Sequence, residues 1–326
     1  MSLLVSIIVL NWNGEQHLHR CLEHVAAQEY PAIEVIVVDN ASSDGSLQRA
    51  KMRFPGFHYI ENGENRGFAA GMNQGISASR GDFVIPLNQD VCLHSAFVTE
   101  CVKRISGDGQ MGAIGGRVFS WIGDQLTDRL RRGEGENYVL RKRFQADAGN
   151  FSENEVFTFA PTGSFPFFRM AMLKDIYQVT GYFYDEAFET GWEDTDLCFR
   201  MHLRGWKCLF LPAARGWHVG SGSVGGNDTF LTKSHDYQVR ILRNRYFTMI
   251  KNLPLSVVAR LLPFLVLTEI AIIPYLVVRS PRSLSALVEA WKQVLLELGQ
   301  LMRKRSLIQH SRRITPTTLV KFFDRF

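Results

Sequence analysis

The stretch GWEDTDLCFRMHLRGW, residues 191–206, places three acidic side chains, Glu193, Asp194 and Asp196, at the start of an otherwise apolar and basic segment. Two kinds of chemistry use that arrangement. Carboxylates in a first helical turn accept orphan backbone N–H groups and oppose the helix dipole, worth about 1 kcal/mol each. A carboxylate in the same place can instead take a proton from a reacting hydroxyl. The segment by itself leaves both readings open.

The other candidates stand where strands should end. VSIIVLN (5–11), EVIVVDN (34–40) and DFVIPL (82–87) are apolar, β-branched runs of the kind found in strands buried on both faces. Between them, Leu18, Cys21, Leu22, Val25 and Ala26 follow helical spacing, and ASSDGS supplies capping residues for a second helix over Leu47–Phe54. This alternation predicts parallel βαβ units and an α/β fold. Ligands of open parallel sheets collect beyond the carboxyl ends of the strands, here Asn11, Asp39 and the group Asn88, Gln89 and Asp90. These side chains suit a nucleotide or a metal, although Asn and Asp also punctuate ordinary turns.

Neither G-x-G-x-x-G after the first strand nor G-x-x-x-x-G-K-[ST] occurs, which argues against a dinucleotide dehydrogenase and a P-loop kinase. NRGFAAGMNQG (65–75) is a glycine-bearing loop entering a short helix. Residues 118–156 are polar and charged and predict a long loop over the sheet edge, a candidate lid. FAPTGSFPFFRM (159–170) is a candidate wall of the site. KCLFLP is a strand, followed by RGWHVGSG (215–222), a predicted glycine-rich loop carrying His218.

A chain of 326 residues, 46% hydrophobic, can bury one large core with an appendage. Its five cysteines are scattered without C-x-x-C spacing and read as buried thiols in a reducing compartment. MSLLVSIIVLNWN lacks a basic n-region and a cleavage site and reads as a strand already entering the fold, so a cytoplasmic start is expected. The net charge of +5 is unevenly spread: from Arg279 onward ten Lys or Arg face Glu289, Glu297 and Asp324, a net of +7, which leaves −2 for residues 1–278.

Ahead of that tail, Leu261–Val278 is an apolar run of eighteen residues with one charge, Glu269, and two prolines, Pro263 and Pro274. The charge costs about 2.5–3.5 kcal/mol in a bilayer and the prolines weaken a straight span, so a re-entrant or interfacial hairpin is favoured over a crossing. A buried core helix is the plain alternative. Leu284, Leu287, Val288, Trp291, Val294, Leu295, Leu298, Leu301 and Met302 then share one helical stripe, opposite Glu289, Lys292, Gln293, Glu297, Gln300 and Arg303. Such a helix, with Trp and basic flanks, suits an anionic membrane surface. A nucleic-acid module is not expected, since interleaved aromatic and basic residues are missing.

Taken in order, VSIIVLNWNG, VIVVDNASSDGS, NRGFAAGMNQG, LNQDV, PTGSF and WEDTDLCFRMHLRGW resemble the family 2 inverting glycosyltransferases of GT-A fold over about residues 4–222. Within the family the pattern is most similar to bacterial rhamnosyltransferase-like enzymes of surface polysaccharide assembly. The resemblance implies a Rossmann-like, mostly parallel sheet flanked by helices. Together with the C-terminal pattern above, it divides the chain into a GT-A domain (1–222), a connecting helical segment (223–252) and a hydrophobic, basic, membrane-associated helical region (253–326).

The resemblance also implies roles. Asp39 would accept a hydrogen bond from the imide of a uracil or thymine base, with Asn11 and Arg66 around base and ribose. NQD departs from the family's D-x-D at its first position: Asn88 can still bond a ribose hydroxyl, and Asp90 keeps the carboxylate that Mg²⁺ or Mn²⁺ requires. His218 would complete the metal shell and tilt preference towards Mn²⁺, its plain alternative being a loop histidine beside Trp217. Asp194 would be the catalytic base, Glu193 would orient the acceptor or tune the pair, and Asp196 would be the first-turn helix residue. The implied reaction moves a sugar from a UDP- or dTDP-linked donor, dTDP-rhamnose among them, to a hydroxyl of a lipid-linked saccharide at the cytoplasmic face of the plasma membrane. Two rivals remain: transfer to a polyprenyl phosphate, which needs no base, and a non-catalytic nucleotide-binding scaffold.

Overall fold

The computed structural model of the protein describes residues 2–131, 152–220 and 230–322. Four parallel strands form one half of its sheet: β1 (Val5–Asn11), β2 (Ile33–Asp39), β3 (His58–Glu61) and β4 (Phe83–Asn88). Helices α1 (Leu18–Ala26), α2 (Ser46–Arg53) and α3 (Gly67–Ala78) make the crossovers. Strands β1, β2 and β4 and helices α1 and α2 form within one residue of their expected limits; β3 is not among the expected strands, and α3 begins inside the stretch expected as a loop.

The other half is mixed. After β5 (Val91–Leu93) and α4 (Phe97–Ile105) come β6 (Met111–Ile122), β7 (Gln125–Leu130), β8 (Val156–Thr158), β9 (Phe167–Arg169), α5 (Met170–Thr180), α6 (Glu193–Leu203) and β10 (Lys207–His218). The strand order is β3-β2-β1-β4-β9-β6-β10-β5, with β7 on β6 and β8 on β10. β9 runs antiparallel to both β4 and β6 and so joins the two halves.

Side chains alternate across the sheet, and each face has its own core. Val5, Ile7 and Val9 pack with Leu22 of α1 and Phe97 of α4. Ile8, Ile36 and Val38 face the other way, onto Met72 of α3, Leu173 of α5 and Leu197 of α6. Buried on both sides, these strands need the apolar runs that marked them in the sequence. All five cysteines are buried and free.

Two expectations for this half are corrected. Residues 118–130 belong to β6 and the β6–β7 hairpin instead of a loop, with Val118 and Trp121 buried. Their polar look arises because β7 is half exposed to solvent along its length; of the rest of that segment, residues 132–151 lie outside the described residues, 152–155 are irregular as expected, and Val156 opens β8. His218 ends strand β10, paired with Val91 of β5, and does not sit in a loop.

Helices α7 (His235–Asn252), α8 (Leu255–Arg279), α9 (Pro281–His310) and α10 (Pro316–Val320) complete the chain. They share a core with α6: Phe199 and Leu203 pack with Met249, Leu253, Leu261, Ile308 and Leu319. The hairpin expected around Leu261–Val278 is a single helix, α8, which runs through Pro263 and Pro274. A proline removes one backbone donor, and apolar helices tolerate that where other groups satisfy the freed carbonyl. Glu269 is paired, accepting from Arg245 at 2.8 Å and from the Tyr246 hydroxyl at 2.7 Å, so the sequence-based cost of a lone charge does not apply. The predicted stripe of α9 divides: Leu287 and Leu301 are buried, while Val288, Leu295, Leu298 and Met302 face outward.

Candidate functional site

The site lies along the carboxyl edge of β1, β2 and β4. Register puts Asn11 beside Asp39 and Leu10 beside Asn88, so the polar strand ends form one row. Asn11 is fully buried, and its Nδ2 donates to Asp39 Oδ1 at 2.6 Å and to the Ser42 and Ser46 hydroxyls at 3.0 and 2.9 Å. The Ser42 amide and hydroxyl also donate to Asp39, at 2.9 and 2.7 Å. Asp39 is thus an oriented acceptor, and Asn11 stands behind it. Arg66 is exposed on the loop just before α3, a loop tied to β2 where Asn40 donates to Asn65 Oδ1 at 3.2 Å and to the Gly67 carbonyl at 3.0 Å.

The NQD turn is braced on both sides. Gln89 accepts from the Trp12 amide at 2.8 Å and donates to its carbonyl at 3.1 Å, closing the loop after β1 onto the turn. Sequence reasoning missed this role, for which only position inside the motif gave any signal. The Asn88 amide donates to the Ser164 carbonyl at 3.1 Å, joining the turn to the PTGSF loop. One residue away, a Cβ on Gly163 would stand 2.5 Å from Asp194 Oδ2, so that loop lies directly against the α6 carboxylate. PTGSF therefore lies between the NQD turn and Asp194.

Asp90 and His218 meet across β5 and β10, with Nε2 3.3 Å from Oδ2 and both side chains about nine-tenths buried. Burial alone would raise the Asp90 carboxyl; His218, by charge and hydrogen bond, and His17 more distantly, bring it below its ordinary value. A carboxylate and an imidazole are a donor pair suited to Mn²⁺ or Mg²⁺. They fit as part of a metal shell only, because no cluster of three or more His, Cys, Asp or Glu side chains occurs among the described residues.

At the start of α6 the three acids part company. Asp194 is half-buried at the site, its Oδ1 accepting from the Thr195 amide at 2.6 Å. Glu193 is buried, with Oε2 lacking a hydrogen-bond partner; burial, then Asp194 and Asp196, push its carboxyl up to about 8. Asp196 is fully buried and points away from the site. It lies in the first turn of α6, as expected, and in addition pairs with Arg200 and Lys251, each at 2.9 Å, and accepts from Asn252 at 2.7 Å. Lys251 also pairs with Asp185, as does Lys304 of α9 at 2.7 Å.

A parallel half, a mixed half and a helix that opens on carboxylates make up the GT-A fold. The chain belongs to Glycosyl transferase family 2, whose sequence profile matches residues 6–176. It is 24% identical over 225 residues to the poly-beta-1,6-N-acetyl-D-glucosamine synthase of Staphylococcus aureus, a match covering 68% of this chain and 51% of that protein. The chain thus spans about half the length of the curated relatives of this kind that it matches. Among solved structures, S. aureus TarS 1–349 in complex with UDP-GlcNAc superposes with a TM-score of 0.52 at 17% identity, covering 76% of this chain and 67% of that one. The mannosyltransferase PcManGT of Pyrobaculum calidifontis, in complex with GDP-Man and Mn²⁺, gives a TM-score of 0.53 at 16% identity over 100% of this chain and 89% of its own.

Proposed function

We propose that the protein is an inverting glycosyltransferase that moves a sugar from a UDP- or dTDP-linked donor to a hydroxyl of a lipid-linked saccharide, with Asp194 as base. The observation that carries this reading is the closure of Asp194 against Gly163, on a loop bonded to the NQD turn. A carboxylate and the donor-side strand ends are thereby held in one site. Asp194 takes the proton of the acceptor hydroxyl as that oxygen forms its bond to the anomeric carbon. The bond from that carbon to the nucleoside diphosphate breaks on the opposite face, so a single displacement inverts the configuration.

Glu193 is buried and its carboxyl is pushed up by burial and by Asp194, whereas Asp194 is half-buried against Gly163, which makes Asp194 the better placed base. Asp39, oriented by Asn11 and Ser42, accepts from the imide N–H of a pyrimidine base, with Arg66 and Asn88 towards the ribose. Asp90 and His218 would hold the divalent ion, which when bound supplies positive charge to the departing diphosphate. PcManGT was solved with Mn²⁺ and TarS with UDP-GlcNAc, which supports a nucleotide sugar and a metal here.

The acceptor assignment rests on α8 and α9. The 25 residues of α8 span about 37 Å at 1.5 Å each, and Leu262, Val266, Leu267, Ile270 and Ile273 are exposed along it. A membrane-associated region over residues 253–326, at the cytoplasmic face of the plasma membrane, would bring the site to a lipid-linked acceptor while donor arrives from solution.

Nucleoside-diphosphate release should be measured with lipid extract over a panel of UDP-, dTDP- and GDP-sugars with Mn²⁺ or Mg²⁺, for the wild type and Asp194→Asn. Turnover of one donor that falls by 10³-fold or more in the variant is expected. Turnover that survives would favour a phosphate acceptor, and nucleotide binding without turnover would favour a scaffold.

A further inference from the structure

The turn that delivers Glu193 and Asp194 is strained. Glu189, Gly191 and Trp192 have φ of 58°, 85° and 72°, and for the two non-glycine residues this left-handed region is costly unless the surroundings enforce it. The enforcing groups come from α7, which lies beyond the family match at residue 176. Asn244 is fully buried, and its Nδ2 donates to the carbonyls of Phe188 at 2.8 Å, Thr190 at 3.2 Å and Gly191 at 2.8 Å. Its Oδ1 accepts from Arg243 Nε at 3.1 Å, which fixes the direction of the amide. Arg243 also donates to the Ala187 carbonyl at 2.9 Å, and Arg240 pairs with Glu189 at 3.0 Å. Ile241 packs so closely that a Cβ on Gly191 would stand 2.4 Å from its Cδ1.

We propose that Asn244 is a positioning residue, which gathers three carbonyls of the 188–191 turn and thereby aims the carboxylates at the start of α6. The inference rests on the reading of Asp194 as base. It adds that the helix carrying the proposed base is held in place by α7, a helix of the C-terminal segment. A buried amide donor suits this role, because convergent carbonyls repel one another and the two N–H groups of a neutral NH₂ serve Phe188 and Gly191, with Thr190 sharing a hydrogen at the longer 3.2 Å, without placing a charge beside Glu193.

The test uses the full-length chain in detergent and the nucleotide sugar that the wild type turns over in the donor panel. Asn244→Ala and Asn244→Asp should lower kcat about 10²-fold, as small misplacements of reacting groups do, while KM for the donor stays within about threefold. Nucleotide binding by calorimetry should persist in both. Thr248→Ala is the control: it removes a buried hydroxyl bond of 2.9 Å to the Asn244 carbonyl without touching the turn, and should keep kcat within about threefold. The pH profile supplies a second readout. Glu193 is faced by Asp194 and Asp196 on its own helix, by Tyr184 from the preceding loop and by Tyr237 from α7. Loosening the turn in Asn244→Ala should admit water to this group and move its ionisation, which puts a second carboxylate beside Asp194, to lower pH, and with it the limb of the kcat profile that this ionisation sets.

Wild-type kcat in both Asn244 variants, with Asp194→Asn inactive, would overturn the positioning role and leave the base assignment standing. Equal losses in Asn244→Ala and Thr248→Ala with an unmoved pH profile would also overturn it, reducing Asn244 to a packing residue. An active Asp194→Asn would instead remove the base, and the positioning role with it.

Discussion

Replacing Glu193 by Gln removes a carboxyl that the fold strains to keep. Its folded pKa lies near 8 against an ordinary 4.5, raised by burial and then by Asp194 and Asp196. The folded protein therefore binds this proton more tightly than the unfolded chain. The carboxyl costs nothing below about pH 4, and an increasing amount as pH climbs towards 8. Glu193→Gln should leave stability unchanged at pH 4 and raise it by about 1–3 kcal/mol at pH 8, read as a rise in Tm. Gly163→Ala tests the other side of the pair. The new Cβ would meet Asp194 Oδ2 at 2.5 Å and displace it, so kcat should fall about 10²-fold while calorimetry shows the nucleotide still bound.

At the scale of elements, the ion cluster behind α6 joins the catalytic helix to the C-terminal helices. Burial opposes ionisation of Asp185 and Asp196, yet Lys251, with Lys304 at Asp185 and Arg200 at Asp196, holds both below the usual carboxylate range. Depressed folded values mean that this stabilisation is present above about pH 4 and is lost as pH falls through and below it. Lys251→Met would leave two buried carboxylates with a deficit of positive charge, at a cost of about 3–5 kcal/mol at pH 7. The urea midpoint should accordingly be lower in the variant at pH 7, and the gap should narrow towards pH 3. Only the Asp196–Arg200 pair, four residues apart, is local; Asp185, Asp196, Lys251 and Lys304 are separated by 11 to 119 positions and meet only through packing around α6, α7 and α9, so no local pattern announced the cluster. The strands ending in Asn11 and Asp39 were legible for the opposite reason: burial on both faces demands continuous apolar runs, which show in any window. The β6–β7 hairpin was hidden because an exposed, charged strand such as QLTDRL has the composition of a loop.

At the scale of the whole molecule, the question is what covers α8. The one acid of its apolar run is internal, since Glu269 is satisfied by Arg245 and Tyr246, and Trp291 of α9 donates to that same tyrosine at 2.9 Å, while Arg260 and Arg279 are exposed towards its two ends. The polar group that argued from sequence against insertion therefore faces α7, and the outward side is apolar. Beside it, the outward row Val288, Leu295, Leu298 and Met302 of α9 extends the apolar surface, with Arg279, Arg282 and Arg303 exposed at its margins. If this surface enters lipid, hydrophobic burial should dominate and charge should assist. The full-length chain should float with vesicles containing phosphatidylglycerol and stay bound at 1 M salt, where the Debye length is about 3 Å and surface pairing is largely screened. Leu267→Asp with Ile270→Asp places two charges on the exposed side, at about 2.5–3.5 kcal/mol each for deep positions. That variant should keep nucleotide binding in detergent but float only at low salt, held by the basic margin alone. Release of the wild type by salt would mean that charge does the docking and the apolar face meets something other than lipid. Retention of the double variant at 1 M salt would move the lipid contact away from α8 altogether.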